Sequence, residues 1–226
     1  MIPLRDTIKA RKTPIITVGL ILANTIVFIY EISLPAEQLE KTIHIWGLVP
    51  ARFVHTDWAR KMGYPPVSFW PFFSSMFLHG GWLHLISNMW ALWLFGDNVE
   101  DRMGHFRYLV FYLFCGLFAG IVHLAIYAGS TIPTIGASGA IAGVMGSYFL
   151  LFPYSRIVVL MPVFIFPLFF EIPAVFYLLI WFLSQFWSGT LALSTQAGQV
   201  VGIAFWAHVG GFVTGMTTFR IFVKRR

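Results

Sequence analysis

The sequence predicts an all-α membrane protein, a bundle of six transmembrane helices with a membrane-interfacial first external loop. Three observations predict it. Of 226 residues, 58% are hydrophobic and only 11% charged, against about 25% charged in soluble domains, so too few charges remain to cover a water-facing surface. Mean hydropathy is +0.77, and the apolar residues gather into runs, several of them near the ~20 residues that cross a ~30 Å hydrocarbon core. The basic residues are grouped: most of the 15 Lys and Arg fall at Arg5, Lys9, Arg11 and Lys12, at Arg102 and Arg107, at Arg156, and at Arg220, Lys224, Arg225 and Arg226. Basic termini and alternate basic loops follow the positive-inside rule for a cytoplasmic N-terminus. The net charge of +6 is therefore read as topology; the expected partner is the lipid bilayer and not nucleic acid. Cys115 is the single cysteine and is expected as a small packing residue without a disulfide.

In chain order, residues 1–13 read as a polar, basic cytoplasmic segment. Pro14 suits a first helical turn, and the apolar run from it to about Leu34 is the first span, retained and not cleaved. Residues 35–81 carry Trp46, Trp58, Phe69, Trp70, Phe72, Phe73 and Phe77 among prolines and a few charges. Such rings settle at the membrane interface, so this loop is expected to be partly helical and to lie there. The second, third and fourth helices are expected at 82–98, 106–127 and 138–152, the last short and glycine-rich. Ile157 to Phe166, broken by Pro162, reads as a cytoplasmic-side interfacial segment. The fifth and sixth helices are expected at 168–188 and 200–222. Residues 14–222 then form one six-helix domain, and 223–226 a basic cytoplasmic tail.

Within this apolar chain a few polar residues share one depth. With the N-terminus inside, helices two, four and six all run inward, and their heights compare at 1.5 Å per residue. Ser138 lies about 22 Å above the cytoplasmic boundary, His208 about 18 Å, and His84 and Asn88 about 24 and 18 Å. Helix four carries Gly139-x-x-x-Gly143, and helix six Gly211-x-x-x-Gly215. Small residues four apart let helix backbones approach closely in lipid. Gly211 is one turn below His208, and Gly139 is next to Ser138. If those faces meet, hydroxyl and imidazole come within hydrogen-bond reach. His84 and Asn88, at i and i+4, share one face of helix two.

These residue types suit acyl transfer. A serine hydroxyl is a weak nucleophile until a base takes its proton, and imidazole has a suitable pKa. A tetrahedral oxyanion needs donors fixed beforehand; His84, Asn88 and the Ser138 backbone N–H can supply them. No Asp or Glu lies at that depth, so the unit would be a Ser–His dyad. N-capping alone also produces a Gly-x-Ser-Gly at a helix start, and a buried histidine can be a packed group; the shared depth favours function. No His-Glu-x-x-His is present, and neither metal nor cofactor is expected. A transporter would be expected to show internal repeats.

Gly136-Ala137-Ser138-Gly139, His84-x-x-x-Asn88 and Ala207-His208-x-x-Gly211-x-x-x-Gly215 together resemble the rhomboid family of intramembrane serine proteases, specifically its bacterial six-helix members. Val99-Glu100-Asp101-Arg102 and Glu171-Ile172-Pro173-Ala174 extend the resemblance over nearly the whole chain. It implies a rhomboid-like bundle in the bacterial inner membrane. It implies Ser138 as nucleophile, His208 as base, and His84, Asn88 and the Ser138 N–H as oxyanion donors. The substrates implied are transmembrane proteins, cleaved near the outer membrane face after a small residue and entering between helices two and five, with Phe182 and Trp187 as gate candidates. Two departures stand out. Ala142 sits where some members have a tyrosine stacked on the base, and Trp70 is followed by Pro71 where a Trp-Arg pair is common. The alternative the sequence allows is a non-proteolytic rhomboid-like protein that binds membrane helices. The oligomeric state is not legible.

Overall fold

The computed structural model describes residues 2–163, 166–194 and 204–224. The chain is mostly helical, and the order of its elements follows its proline and glycine punctuation. Strand β1 (Ile2–Asp6) comes first. Helix α1 (Ile15–Ser33) starts after Pro14 and stops before Leu34-Pro35, because the proline ring disfavours the helical region for the residue preceding it. The aromatic loop is partly helical, as expected: α2 (Ala36–Trp46), α3 (Ala51–Val54), α4 (Thr56–Lys61), α5 (Trp70–Ser74) and a 3₁₀ turn at Ser75–Phe77. Helices α6 (Trp82–Met103) and α7 (His105–Ile126) meet at Gly104, whose φ of +79° is cheap only for glycine. Helix α8 (Ser138–Leu151) follows a loop that is tied to the aromatic segment. Leu48 and Thr134 exchange both backbone hydrogen bonds, and the Gly136 N–H donates to the Ser75 carbonyl.

Helix α6 runs five residues past the expected end because the polar residues there are buried with partners. The Glu100 carboxylate, 1% exposed, accepts from the Ile16 and Thr17 N–H groups at 2.9 and 2.8 Å and from the Thr17 hydroxyl at 2.8 Å. Helix α1 has no side-chain cap of its own. Glu100 thus satisfies the free N–H groups at its start and adds a favourable charge at the positive end of its dipole.

Helix α8 is the central post, buried from Gly139 to Tyr148 and packed against α6, α7, α9 (Ala174–Ser194) and α10 (Phe205–Phe222). Its closest neighbour is α10. A Cβ on Gly211 would sit 2.0 Å from the Gly139 carbonyl oxygen, one on Gly215 1.9 Å from that of Gly143, and one on Gly146 2.1 Å from that of Phe212. These small faces meet backbone to backbone, as the spacing by four predicts. Cys115 is buried against Gly143.

The all-α expectation is corrected by a three-stranded antiparallel sheet in the order β1-β2-β3. Strand β1 pairs with β2 (Arg156–Val163), and β2 with β3 (Phe166–Pro173). The run Ile157-Val158-Val159-Leu160 is β-branched and suits a strand. Pro162, which has no N–H, lies beyond the stretch paired to β1, where β2 has one neighbour and the missing donor costs nothing. The fifth helix therefore begins at Ala174 and not at 168, and Glu171 lies on β3, 3.5 Å from Arg156. The sixth begins at Phe205; the first residues assigned to it from the sequence lie outside the described ones. Residues 2–6, expected as a plain polar segment, are edge-strand backbone anchored by Asp6, which accepts from the Tyr148 hydroxyl and the Asn98 amide. Burial raises the Asp6 carboxyl above its ordinary pKa. By length and composition, Ile15–Ser33, His105–Ile126 and Ala174–Ser194 suffice to cross a membrane.

Candidate active site

The loop before α8 fixes the serine. Gly136, at φ +123°, turns the chain so that Ala137 and Ser138 start the helix. Ser138 has no acidic or basic neighbour in that first turn. Two elements bring its partners. Helix α10 carries His208 into position because Gly211, three residues on, rests on the Gly139 carbonyl. Helix α6 carries His84 and Asn88 on its first two turns.

The four residues singled out by depth meet around one cavity of ≈ 670 Å³, lined by His84, Asn88, Ser138 and His208, with Gly80 and Trp82 at its edge. Ser138 Oγ lies 2.7 Å from His208 Nε2, and His208 Nδ1 lies 2.7 Å from Gln185 Oε1. From the sequence alone Gln185, like Gln196 and Gln199, suggests no more than a group that could hold water near the site. Gln196 and Gln199 lie outside the described residues.

The other two side chains have defined hydrogens. The Gly80 N–H points at His84 Nδ1, 3.4 Å away. An N–H can only donate, so Nδ1 accepts and His84 Nε2 carries the ring proton. That nitrogen faces Gly136: a Cβ there would be 2.7 Å from it, and 3.5 Å from Asn88 Nδ2. His79, 3% exposed, sets the amide of Asn88. Its Nδ1 is 3.3 Å from the Phe77 carbonyl and must donate, so its Nε2 accepts from Asn88 Nδ2 at 3.0 Å. Burial first, and then the neighbouring His84, push His79 down to about 4, so it is a neutral acceptor at neutral pH. One hydrogen of the Asn88 amide is spent on His79, and the other has no acceptor among the described residues. The Glu31 carboxylate, buried on α1, accepts from the His79 backbone N–H at 3.1 Å. Neither His79 nor Glu31 had been assigned to this site from the sequence.

His123, buried on α7, pairs with the Thr134 hydroxyl at 2.7 Å. Asn24, fully buried on α1, donates to the Leu20 carbonyl of its own helix. Phe182 stacks on Phe212 at 4.9 Å, while Trp187 is 73% exposed.

Comparison with known proteins points one way. Residues 66–225 match the family profile described as Rhomboid domain. The chain is similar to RHOMBOID-like protein 6, mitochondrial, of Arabidopsis thaliana, at 37% identity over 78 residues, 34% of this chain and 25% of that one. It is similar to RHOMBOID-like protein 4 of the same plant at 31% over 146 residues, 65% and 32% of the two chains. It is similar to the Presenilin-associated rhomboid-like protein, mitochondrial, of Mus musculus at 28% over 152 residues, 65% and 36%. The chain spans from a quarter to about a third of the length of these relatives.

Proposed function

The chain belongs to the rhomboid family, and from that premise we propose that it is an intramembrane serine endopeptidase acting through a Ser138–His208 dyad. The observation that carries the proposal is the 2.7 Å contact between Ser138 Oγ and His208 Nε2 inside a cavity that also receives His84 and Asn88. His208 takes the serine proton as Oγ attacks the scissile carbonyl, and later gives it to the leaving amine. The oxyanion is met by His84 Nε2–H, the free hydrogen of Asn88 Nδ2 and the Ser138 backbone N–H, donors already in place before charge develops. The Ser138 N–H stands at the start of α8, where N–H groups lack helical partners.

The substrates are transmembrane segments, opened near the outer face of the membrane. Helices α6, α8 and α10 join α1, α7 and α9 as spans, six in all, set in a bacterial inner membrane with both termini cytoplasmic. The backbone supports termini on one side: the Thr7 N–H donates to the Arg156 carbonyl, and the Lys224 N–H to that of Arg102. Residues 14–222 act as one domain between the N-terminal segment and the basic tail. Phe182 and Trp187, on α9, are kept as gate residues.

The test is cleavage of a transmembrane substrate in proteoliposomes. Wild type cleaves; Ser138→Ala and His208→Ala do not, and both keep the wild-type circular-dichroism spectrum. Cleavage retained by Ser138→Ala would leave the helix-binding alternative as the better account.

A further inference from the structure

We propose that Gln185 is a positioning residue for the dyad: its side-chain amide, carried on α9, holds His208 in the tautomer and ring orientation that can take the Ser138 proton. The inference rests on the endopeptidase reading and adds a third residue to it.

His208 is engaged at both ring nitrogens, Nε2 at 2.7 Å from Ser138 Oγ and Nδ1 at 2.7 Å from Gln185 Oε1. A neutral imidazole carries one proton, on one nitrogen or the other. An amide oxygen has no hydrogen to give, so Nδ1 donates, and Nε2 keeps its lone pair toward the serine. With the amide reversed, an NH₂ group would face Nδ1, the proton would move to Nε2, and the ring could no longer accept from Ser138. The direction of the amide is itself determined at its far end. Gln185 Nε2 lies 3.3 Å from Ser184 Oγ, whose own hydrogen goes to the Trp181 carbonyl at 2.6 Å. That hydroxyl therefore offers the amide only lone pairs, and the NH₂ end belongs there. The Trp181 ring lies beside the imidazole, centroids 6.0 Å apart and planes 36° from parallel. Helix α9 thus steadies His208 at its edge and along its face.

An amide also answers why no carboxylate is needed. In the attack step the Oγ–H bond breaks and its proton passes to Nε2, the bond from Oγ to the carbonyl carbon forms, and the C=O π pair moves to oxygen as the oxyanion; on collapse the C–N bond breaks and Nε2 returns the proton to the leaving amine. Gln185 neither gains nor loses a proton; its carbonyl dipole keeps the Nδ1–H bond and favours the imidazolium. A carboxylate in its place would carry a standing charge at membrane depth, which is costly. This fills the position left open by Ala142. Among the described residues, the titratable groups facing His208 are His84 from α6 and His123 from α7.

The experiment measures kcat and KM on a transmembrane peptide in proteoliposomes for wild type, Gln185→Leu and Gln185→Glu, beside Ser138→Ala. Histidine-selective ¹⁵N spectra of the same proteins in micelles report the tautomer. Gln185→Leu, which cannot accept, is expected to lower kcat about 10- to 100-fold with KM within about twofold and to lose the Nδ1–H signature of His208. Gln185→Glu, which keeps an acceptor oxygen, should recover kcat to within about fivefold and move the acid limb of the pH–rate profile upward by about one unit. A wild-type kcat and tautomer signature in Gln185→Leu would overturn the assignment. So would equal losses of kcat in both variants, which point to helix packing. Cleavage by Ser138→Ala sinks the endopeptidase reading instead, so the two failures are distinguishable.

Discussion

Replacing Gly211 by alanine should separate the two halves of the dyad without touching either. A Cβ at this position meets the Gly139 carbonyl oxygen at 2.0 Å, and ordinary contact begins at 3.4 Å. The backbones must therefore part by about 1.4 Å, because neither atom belongs to a flexible side chain. Gly139 adjoins Ser138, and His208 is one turn from Gly211. If the whole displacement reaches the site, the 2.7 Å contact opens to about 4 Å, beyond hydrogen-bond reach. A misplacement of 1 Å can cost about 10²-fold in rate, and overpacking of this kind costs about 1–3 kcal/mol. The expected result is a kcat at least about 100-fold lower in the proteoliposome cleavage assay, with a lower thermal midpoint in detergent. Gly19→Ala is the control, since nothing lies within 4 Å of its added Cβ; its activity should match wild type. A Gly211→Ala protein with wild-type kcat and midpoint would refute the claim that backbone contact between α8 and α10 sets the dyad distance.

Three further predictions concern the surroundings. His84→Ala and Asn88→Ala should each lower kcat by about 10²–10³ with KM little changed, as loss of an oxyanion donor does; a pure KM effect would assign them to substrate binding. Glu100→Gln should destabilise by about 2 kcal/mol or more, since a charged acceptor serving the start of α1 is lost, and the thermal midpoint should fall by roughly 4 °C or more; an unchanged midpoint contradicts the capping role. His79 is held at about 4, below the ordinary 6.5, so the unfolded chain binds the extra proton first as pH falls. Its stabilising contribution is complete above about 6.5 and is lost on descending toward 4. A midpoint-versus-pH curve should show that slope in wild type and lose it in His79→Gln, and equal slopes would contradict the buried neutral acceptor.

The parts of this fold legible in the sequence were those written in long apolar runs and glycine spacing. Pro14 marked the start of α1, and Gly139, Gly143, Gly211 and Gly215 foretold which helix faces would touch. The shared depth of Ser138, His208, His84 and Asn88 anticipated that they could meet. The sheet was hidden because β2 and β3 are apolar apart from Arg156 and Glu171: Phe166 to Pro173 runs on into the apolar helix that follows, and only backbone pairing separates them. The end of α6 was placed early because Asn98 and Glu100 look like a loop until their long-range partners Asp6, Ile16 and Thr17 are seen. The hydrogen-bonding roles of Gln185 and His79 were hidden for the same reason. Their significance is a hydrogen-bond direction, fixed by residues 23 and 9 positions away, and no local pattern records it.

The most direct measurement is intact-mass and peptide mapping after exposure to a serine-directed fluorophosphonate in lipid. One adduct is expected, on Ser138, formed in wild type and absent in His208→Ala. An adduct that forms equally fast without His208, or that maps to another residue, would contradict the Ser138–His208 dyad.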